Sequence, residues 1–295
     1  MSQSSSSCTT TLVVAATTKD SVADALNGKV VEICQAALHE RDRFIVALSG
    51  GSLPRLLGGL NDAFASSGVD PRWDQWHVLL ADERCVPRSS VDSNMGALER
   101  DFLSSTGIPA SQVHGISPEL VQRENIDTVA VAKDYEQKLL RVLAGKDDDD
   151  HEAADDPKTL LLDLAVLGFG PDGHTCSLFP GHRLLEEIDM WVAPIDDSPK
   201  PPPKRITLTF PVLNQNTKHV IFCGAGDSKQ AIVKKVFNDY ENVREAVEGN
   251  DDNGMPFSHS SITVASPPPF PCAMVRPLQS LTWVVDKSAV LGKRD

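Results

Sequence analysis

Residues 168–181 read Gly-Phe-Gly-Pro-Asp-Gly-His-Thr-Cys-Ser-Leu-Phe-Pro-Gly and bring an acid and an imidazole, Asp172 and His174, into one glycine-rich turn. Imidazole is the side chain best suited to general base work near neutrality, and a nearby carboxylate orients it. An isolated His is more often structural. Here it follows the strongest apolar run of the chain, Leu160–Leu167, and a strand's carboxyl end is where ligands of open α/β sheets bind. The same segment also spells G-x-G-x-x-G, the dinucleotide pattern. Its context does not fit, because Pro180-Gly181 cuts short any following helix and no second strand ending in an acid comes next.

Three further loops carry polar groups in the same kind of place. Phe44–Leu48 runs into Ser49-Gly50-Gly51-Ser52-Leu53-Pro54, where glycines let backbone N–H groups approach an anion. An anion cradle and a tight turn with a Ser cap both fit this loop. A covalent route through Ser49 is disfavoured because Ala47-Leu48-Ser49 lacks the first glycine of a nucleophile elbow. Trp76–Leu80 ends in Asp82-Glu83-Arg84, three consecutive charges where a strand leaves its sheet. Arg205, after Pro201-Pro202-Pro203-Lys204, and Lys229, after Gly224-Ala225-Gly226, are candidates for holding a phosphate.

The elements that must position these loops alternate. Val22, Leu26, Val30, Ile33 and Ala37 recur at helical spacing, then comes the run Phe44–Leu48. A helix is predicted over Pro54–Ala65, a strand over Trp76–Leu80, and helices over Asn94–Leu103 and Ile126–Leu143. Later strands are expected at Ile206–Thr209, Val220–Cys223 and Leu281–Val285, with a helix over Ser228–Val236. Continuous apolar strands alternating with helices imply an α/β fold, a single domain with a mostly parallel sheet and helices on both faces. Residues 1–10 read as a disordered tail and 11–295 as that domain. Surface loops are expected at 146–157, with its Asp run, at Ser198–Lys204 and at 249–256.

Composition narrows the function. The 295 residues carry a net charge of −13, which disfavours nucleic acid and anionic membrane as partners. An anionic substrate must therefore meet a local basic pocket. The six cysteines are scattered, without the close pairs of zinc or redox sites, so no metal and a reduced, cytoplasmic protein are expected. The apolar run Leu12–Ala16 is too short for a signal core or a membrane span.

Taken jointly, Ser-Gly-Gly-Ser-x-Pro at 49–54, Asp82-Glu83-Arg84-x-Val86, the 168–181 segment and Arg205-Ile206-Thr207 resemble the 6-phosphogluconolactonase family, and the 168–181 segment is the most specific match. The resemblance implies a fold similar to glucosamine-6-phosphate deaminase and ribose-5-phosphate isomerase. It implies hydrolysis of a small sugar-phosphate lactone in the pentose phosphate pathway without a cofactor. By it, His174 is the general base, Asp172 its neighbour and Arg84 an active-site cation. Gly50, Gly51, Ser52, Asp82, Arg205 and Lys229 are substrate contacts, Lys229 by way of the related deaminases. Those deaminases typically carry an aromatic where this chain has Arg84 and an Asn-Glu pair where it has Leu178-Phe179. A non-enzymatic sugar-phosphate sensor would need a helix-turn-helix segment, which the first forty residues do not offer. The sequence leaves the oligomeric state open.

Overall fold

A computed structural model of the protein describes residues 9–15, 19–146, 159–249, 257–260 and 262–292. The described residues form eleven strands: β1 (Thr9–Ala15), β2 (Phe44–Leu48), β3 (Trp76–Leu80), β4 (Asp82–Arg84), β5 (Val113–His114), β6 (Leu162–Gly168), β7 (Val192–Ile195), β8 (Arg205–Leu208), β9 (Thr217–Gly224), β10 (Phe257–Ser260) and β11 (Ser280–Asp286). Eight of them make one sheet in the order β10-β1-β11-β9-β6-β2-β3-β5. Only the β1–β10 pairing is antiparallel. Successive side chains of a strand point to opposite faces, and all five residues of β2 are buried, so the sheet is covered on both sides there. The buried apolar side chains form one cluster from Leu12 to Val290.

The winding reverses between β2 and β6. From β2 the chain adds β3 and β5 on one side, and from β6 it adds β9 and β11 on the other, where β11 lies against the first strand, β1. The carboxyl ends of these two neighbours open the crevice in which doubly wound sheets bind ligands. The loops that leave them are the Ser-Gly-Gly loop and the Asp172–His174 turn. The helix Thr128–Ala144 braces this region. It starts on the Asp127 side chain, which accepts from the N–H groups of Val129 and Ala130, and stops at Gly145 in the left-handed conformation. Its buried Tyr135 hydroxyl takes the Leu80 N–H at 2.6 Å and donates to the Leu80 carbonyl at 3.2 Å. That fixes the end of β3 one step before the charged loop.

Several expectations are corrected. Thr9 and Thr10 pair with Ser280 and Leu281 rather than belonging to a tail, because the parallel edge of β11 offers their backbone groups partners. Residues 1–8 lie outside the described residues, as do 147–157 and 250–256 of the expected surface loops. The helix expected over Pro54–Ala65 divides into Leu53–Leu56 and Leu60–Ser67. Gly58-Gly59 is poor helix sequence, and Asn27 donates to the Leu56 carbonyl at 3.0 Å at the break. The strand near Ile206 is not in the main sheet. It is β8, the middle strand of a separate antiparallel sheet β4-β8-β7. No helix among the described residues is long and apolar enough to cross a membrane.

Candidate active site

At the switch point lies a cavity of about 410 Å³. Gly50, Gly51, Ser52, Asp82, Arg84, His174, Arg205 and Lys229 all line it, and Asp172 stands directly behind His174.

The imidazole is held by the local fold. The Gly173 N–H closes a turn on the Gly170 carbonyl at 2.9 Å, and the Gly170 N–H reaches the His174 carbonyl at 2.9 Å. A Cβ at Gly170 would meet His174 Nδ1 at 2.1 Å and Asp172 Oδ1 at 2.4 Å, so only glycine lets the two side chains meet over the turn. Nδ1 of His174 lies 2.5 Å from Asp172 Oδ1, and the ring packs over Phe179 with centroids 4.8 Å apart. A carboxylate on Nδ1 sets the tautomer that leaves Nε2 as the proton acceptor. Burial holds His174 below the ordinary imidazole value, against the opposing pull of Asp172, with the charge of Lys200 adding to the lowering. Burial also pushes Asp172 up, but the His174 hydrogen bond and charge and the Lys200 ammonium outweigh it and hold the carboxyl at about 2.

The Ser-Gly-Gly loop approaches the cavity as closely as its side chains allow. A Cβ at Gly50 would stand 1.8 Å from Asn94 Oδ1, and Gly51 has φ +69°. Ser52 makes no capping hydrogen bond to the short helix after it, which removes the Ser-cap reading of the loop. Ser49, 6% exposed, lines the cavity, and its buried Oγ has no hydrogen-bond partner among the described residues.

The charges after β3 divide their labour. Asp82 accepts from Ser177 Oγ at 2.7 Å and from Asn94 Nδ2 at 3.3 Å, so its carboxylate orders the cavity wall. Glu83, missing from the predicted site, is structural: it accepts from the N–H groups of Arg84, Asn94 and Met95 and from Ser93 Oγ. It thereby ties the helix Asn94–Asp101 to β4, and burial raises its carboxyl to about 6. Arg84 spends one N–H on the Asp92 carbonyl at 2.7 Å, while its buried Nε has no partner among the described residues.

Arg205 faces Arg84 across the β4–β8 pairing. It is 3% exposed. Its Nε donates to the Pro202 carbonyl, its Nη2 to those of Lys200 and Pro201, and its Nη1 to Ser177 Oγ. A guanidinium has five N–H groups, so one is left over for a ligand. Lys229 donates to the Phe169 carbonyl at 2.5 Å. Burial and then the Lys200 charge lower its ammonium from the ordinary value.

Lys200 is the residue that sequence reasoning missed. The Ser198–Lys204 loop, expected to be plain surface, folds back so that Lys200 Nζ lies 3.1 Å from His174 Nδ1 and 3.2 Å from Asp172 Oδ2. The signal was the proline run itself, which stiffens a loop enough to fix a side chain.

The family profile described as glucosamine-6-phosphate isomerases/6-phosphogluconolactonase matches residues 17–259. The chain belongs to that family. A probable 6-phosphogluconolactonase of Schizosaccharomyces pombe is 40% identical over 221 residues, covering 74% of this chain and 80% of the relative. The 6-phosphogluconolactonase of Homo sapiens is 38% identical over 250 residues, 84% of this chain and 80% of the relative. Among solved structures, a 6-phosphogluconolactonase from Thermotoga maritima is 26% identical with a TM-score of 0.63, covering 94% of this chain and all of the other. The mostly parallel sheet described above is therefore the family's fold, and the switch-point cavity lies within the matched residues.

Proposed function

We propose that the protein hydrolyses 6-phosphoglucono-1,5-lactone to 6-phosphogluconate, the lactonase step of the oxidative pentose phosphate pathway. The observation that carries this reading is the Asp172–His174 pair on a glycine turn, facing a cavity that also holds Arg84, Arg205 and Lys229. A δ-lactone is an activated ester. It needs one water deprotonated and one oxyanion stabilised.

His174 Nε2 takes the proton of a water attacking C1 while Nδ1–H stays on Asp172, and the proton then passes to the departing ring oxygen. The uncommitted donors of Arg84, with the N–H groups of Gly50 and Gly51, face the developing oxyanion. Lys229 and the one remaining N–H of Arg205 take the 6-phosphate. Ser49 Oγ offers a hydrogen bond to a substrate hydroxyl. No step of this scheme calls on a metal or a cofactor. Against the aminosugar-phosphate alternative, position 179 puts an apolar ring on His174 rather than a carboxylate.

The deciding experiment supplies purified protein with freshly generated 6-phosphogluconolactone and, separately, with glucosamine 6-phosphate. Acid release from the first above the spontaneous rate, with no ammonia from the second, is the expected result. Ammonia release with no lactone hydrolysis would overturn the reading.

A further inference from the structure

Behind the imidazole stand two charges, and only one of them belongs to the base–carboxylate pair just described. Lys200 Nζ is 3.2 Å from Asp172 Oδ2, 3.3 Å from Asp172 Oδ1 and 3.1 Å from His174 Nδ1. Lys200 is not among the residues that line the cavity. It meets the reaction through His174. Its backbone is pinned independently of its side chain, for the Lys200 carbonyl accepts from Arg205 Nη2 at 2.8 Å and from Ser198 Oγ at 2.9 Å. The ammonium is thus delivered to a fixed point by the loop and by Arg205.

We infer that Lys200 is a positioning residue of the site: its ammonium balances the Asp172 carboxylate behind the imidazole, so that His174 works as a neutral base rather than as one half of an ion pair. The inference rests on His174 being the base proposed above. An imidazole backed by an uncompensated carboxylate binds its proton more firmly, and at neutral pH a growing share of the enzyme carries imidazolium, which accepts no proton. Asp172 alone supplies orientation at that cost. Lys200 removes the cost while Asp172 Oδ1 still accepts from Nδ1 at the shorter distance.

The charged groups that face His174 are Asp172 on its own turn, Lys200 on the proline loop and Asp82 on β4. Lys229, before the helix Gln230–Val236, feels Lys200 and Asp172 in turn. Both carboxylates raise the imidazole and Lys200 lowers it. Loss of the ammonium therefore moves His174 upward. The Lys200 side chain is 41% exposed, so water-like screening sets the scale. A unit charge at about 4 Å under that screening corresponds to a shift of roughly 0.5–1 pH unit.

The test is the pH profile of kcat/KM for 6-phosphoglucono-1,5-lactone, corrected for buffer hydrolysis, in the parent, Lys200→Met, Lys200→Arg and His174→Gln. Lys200→Met should move the acidic limb up by roughly 0.5–1 unit, a loss of about three- to tenfold below the limb that shrinks as pH rises. Lys200→Arg, which keeps the charge, should return the limb toward the parental position. An NMR titration of the His174 ring should show the same displacement. An acidic limb that stays in place in Lys200→Met, or a loss equal at every pH, overturns the inference and leaves the base reading standing. Substantial activity with an intact limb in His174→Gln instead overturns the base reading itself.

Discussion

Which cation holds the phosphate is decided by comparing Lys229→Ala with Arg205→Ala on two substrates, 6-phosphoglucono-1,5-lactone and unphosphorylated glucono-1,5-lactone. Among the described residues Lys229 has one protein acceptor, the Phe169 carbonyl, so two of its three N–H groups are available to a ligand. Hydrogen bonds to a charged group are worth about 1.5–3 kcal/mol. Lys229→Ala should therefore lower kcat/KM roughly 10- to 150-fold on the phosphorylated lactone and leave the unphosphorylated one nearly unchanged. Arg205 is different because it gives four hydrogen bonds to Pro202, Lys200, Pro201 and Ser177. At ~0.5–1.5 kcal/mol each, with the loop carbonyls partly regaining water, its loss should cost on the order of 2–4 kcal/mol of stability. It should also release Lys200 from behind His174. Arg205→Ala is expected to slow both lactones, with a lowered Tm and an additional loss on the phosphorylated one. The readout is the ratio of the two kcat/KM values from acid release at constant pH. An unchanged ratio in Lys229→Ala would refute the phosphate assignment, and an unchanged Tm in Arg205→Ala would refute the bracing role.

Gly50→Ala puts a methyl group 1.8 Å from Asn94 Oδ1, so Asn94 must leave its bonds to Asp82. Overpacking of this kind costs about 1–3 kcal/mol; a lowered Tm and a collapse of kcat/KM are expected, and parental kinetics would contradict the geometry. His174→Ala should lower kcat by about 10²–10⁴ with little change in KM, the share of a positioned general base. Because the ring is depressed by burial, the parental kcat/KM should hold down through pH ~6.5 and fall only below it; an acidic limb above that value would count against the depressed imidazole. Ser49→Ala removes a buried hydroxyl that has no partner, so a gain of about 1 kcal/mol in stability should accompany a raised KM. Loss of stability in that variant would mean the hydroxyl is satisfied in the free protein.

The parts of the fold that were legible are those whose local pattern decides their fate. β2 is a continuous apolar run, and β3 and β6 are apolar but for His77 and Asp163; all three end in glycine or charge, and no competing conformation buries such segments as well. The second sheet was not legible. β4 is Asp-Glu-Arg and β7 contains a proline, so neither shows the alternation that betrays a strand. β4 becomes a strand only by pairing with β8, far away in sequence, and β7 by pairing with β8 across the proline loop. The site divides in the same way. Asp172 and His174 are two residues apart, and their meeting is written in Gly170 and Gly173. Lys200 reaches them only through the tertiary path of the proline loop. Asp82, a substrate contact by the family resemblance, lines the cavity while its carboxylate accepts from Ser177 and Asn94, partners that no sequence pattern shows.

The pairing of Arg84 with Arg205 shows what the small sheet contributes to chemistry. Like charges directly opposite on antiparallel strands are destabilising, and after burial it is the charge of Arg84 that lowers Arg205. Asp82, Asp92 and Glu83 pull the other way, but the Asp82 oxygens are already engaged by Ser177 and Asn94. The cavity therefore keeps donors that the described residues do not satisfy, among them the buried Nε of Arg84. Such donors, fixed during folding and aimed at where negative charge arrives or develops, need no reorganisation when the reaction occurs. With a net charge of −13 on the whole chain, attraction for an anionic substrate has to arise inside this cavity. That is why so much of the local architecture, from the Tyr135 brace to the proline loop, serves to hold a few cations still.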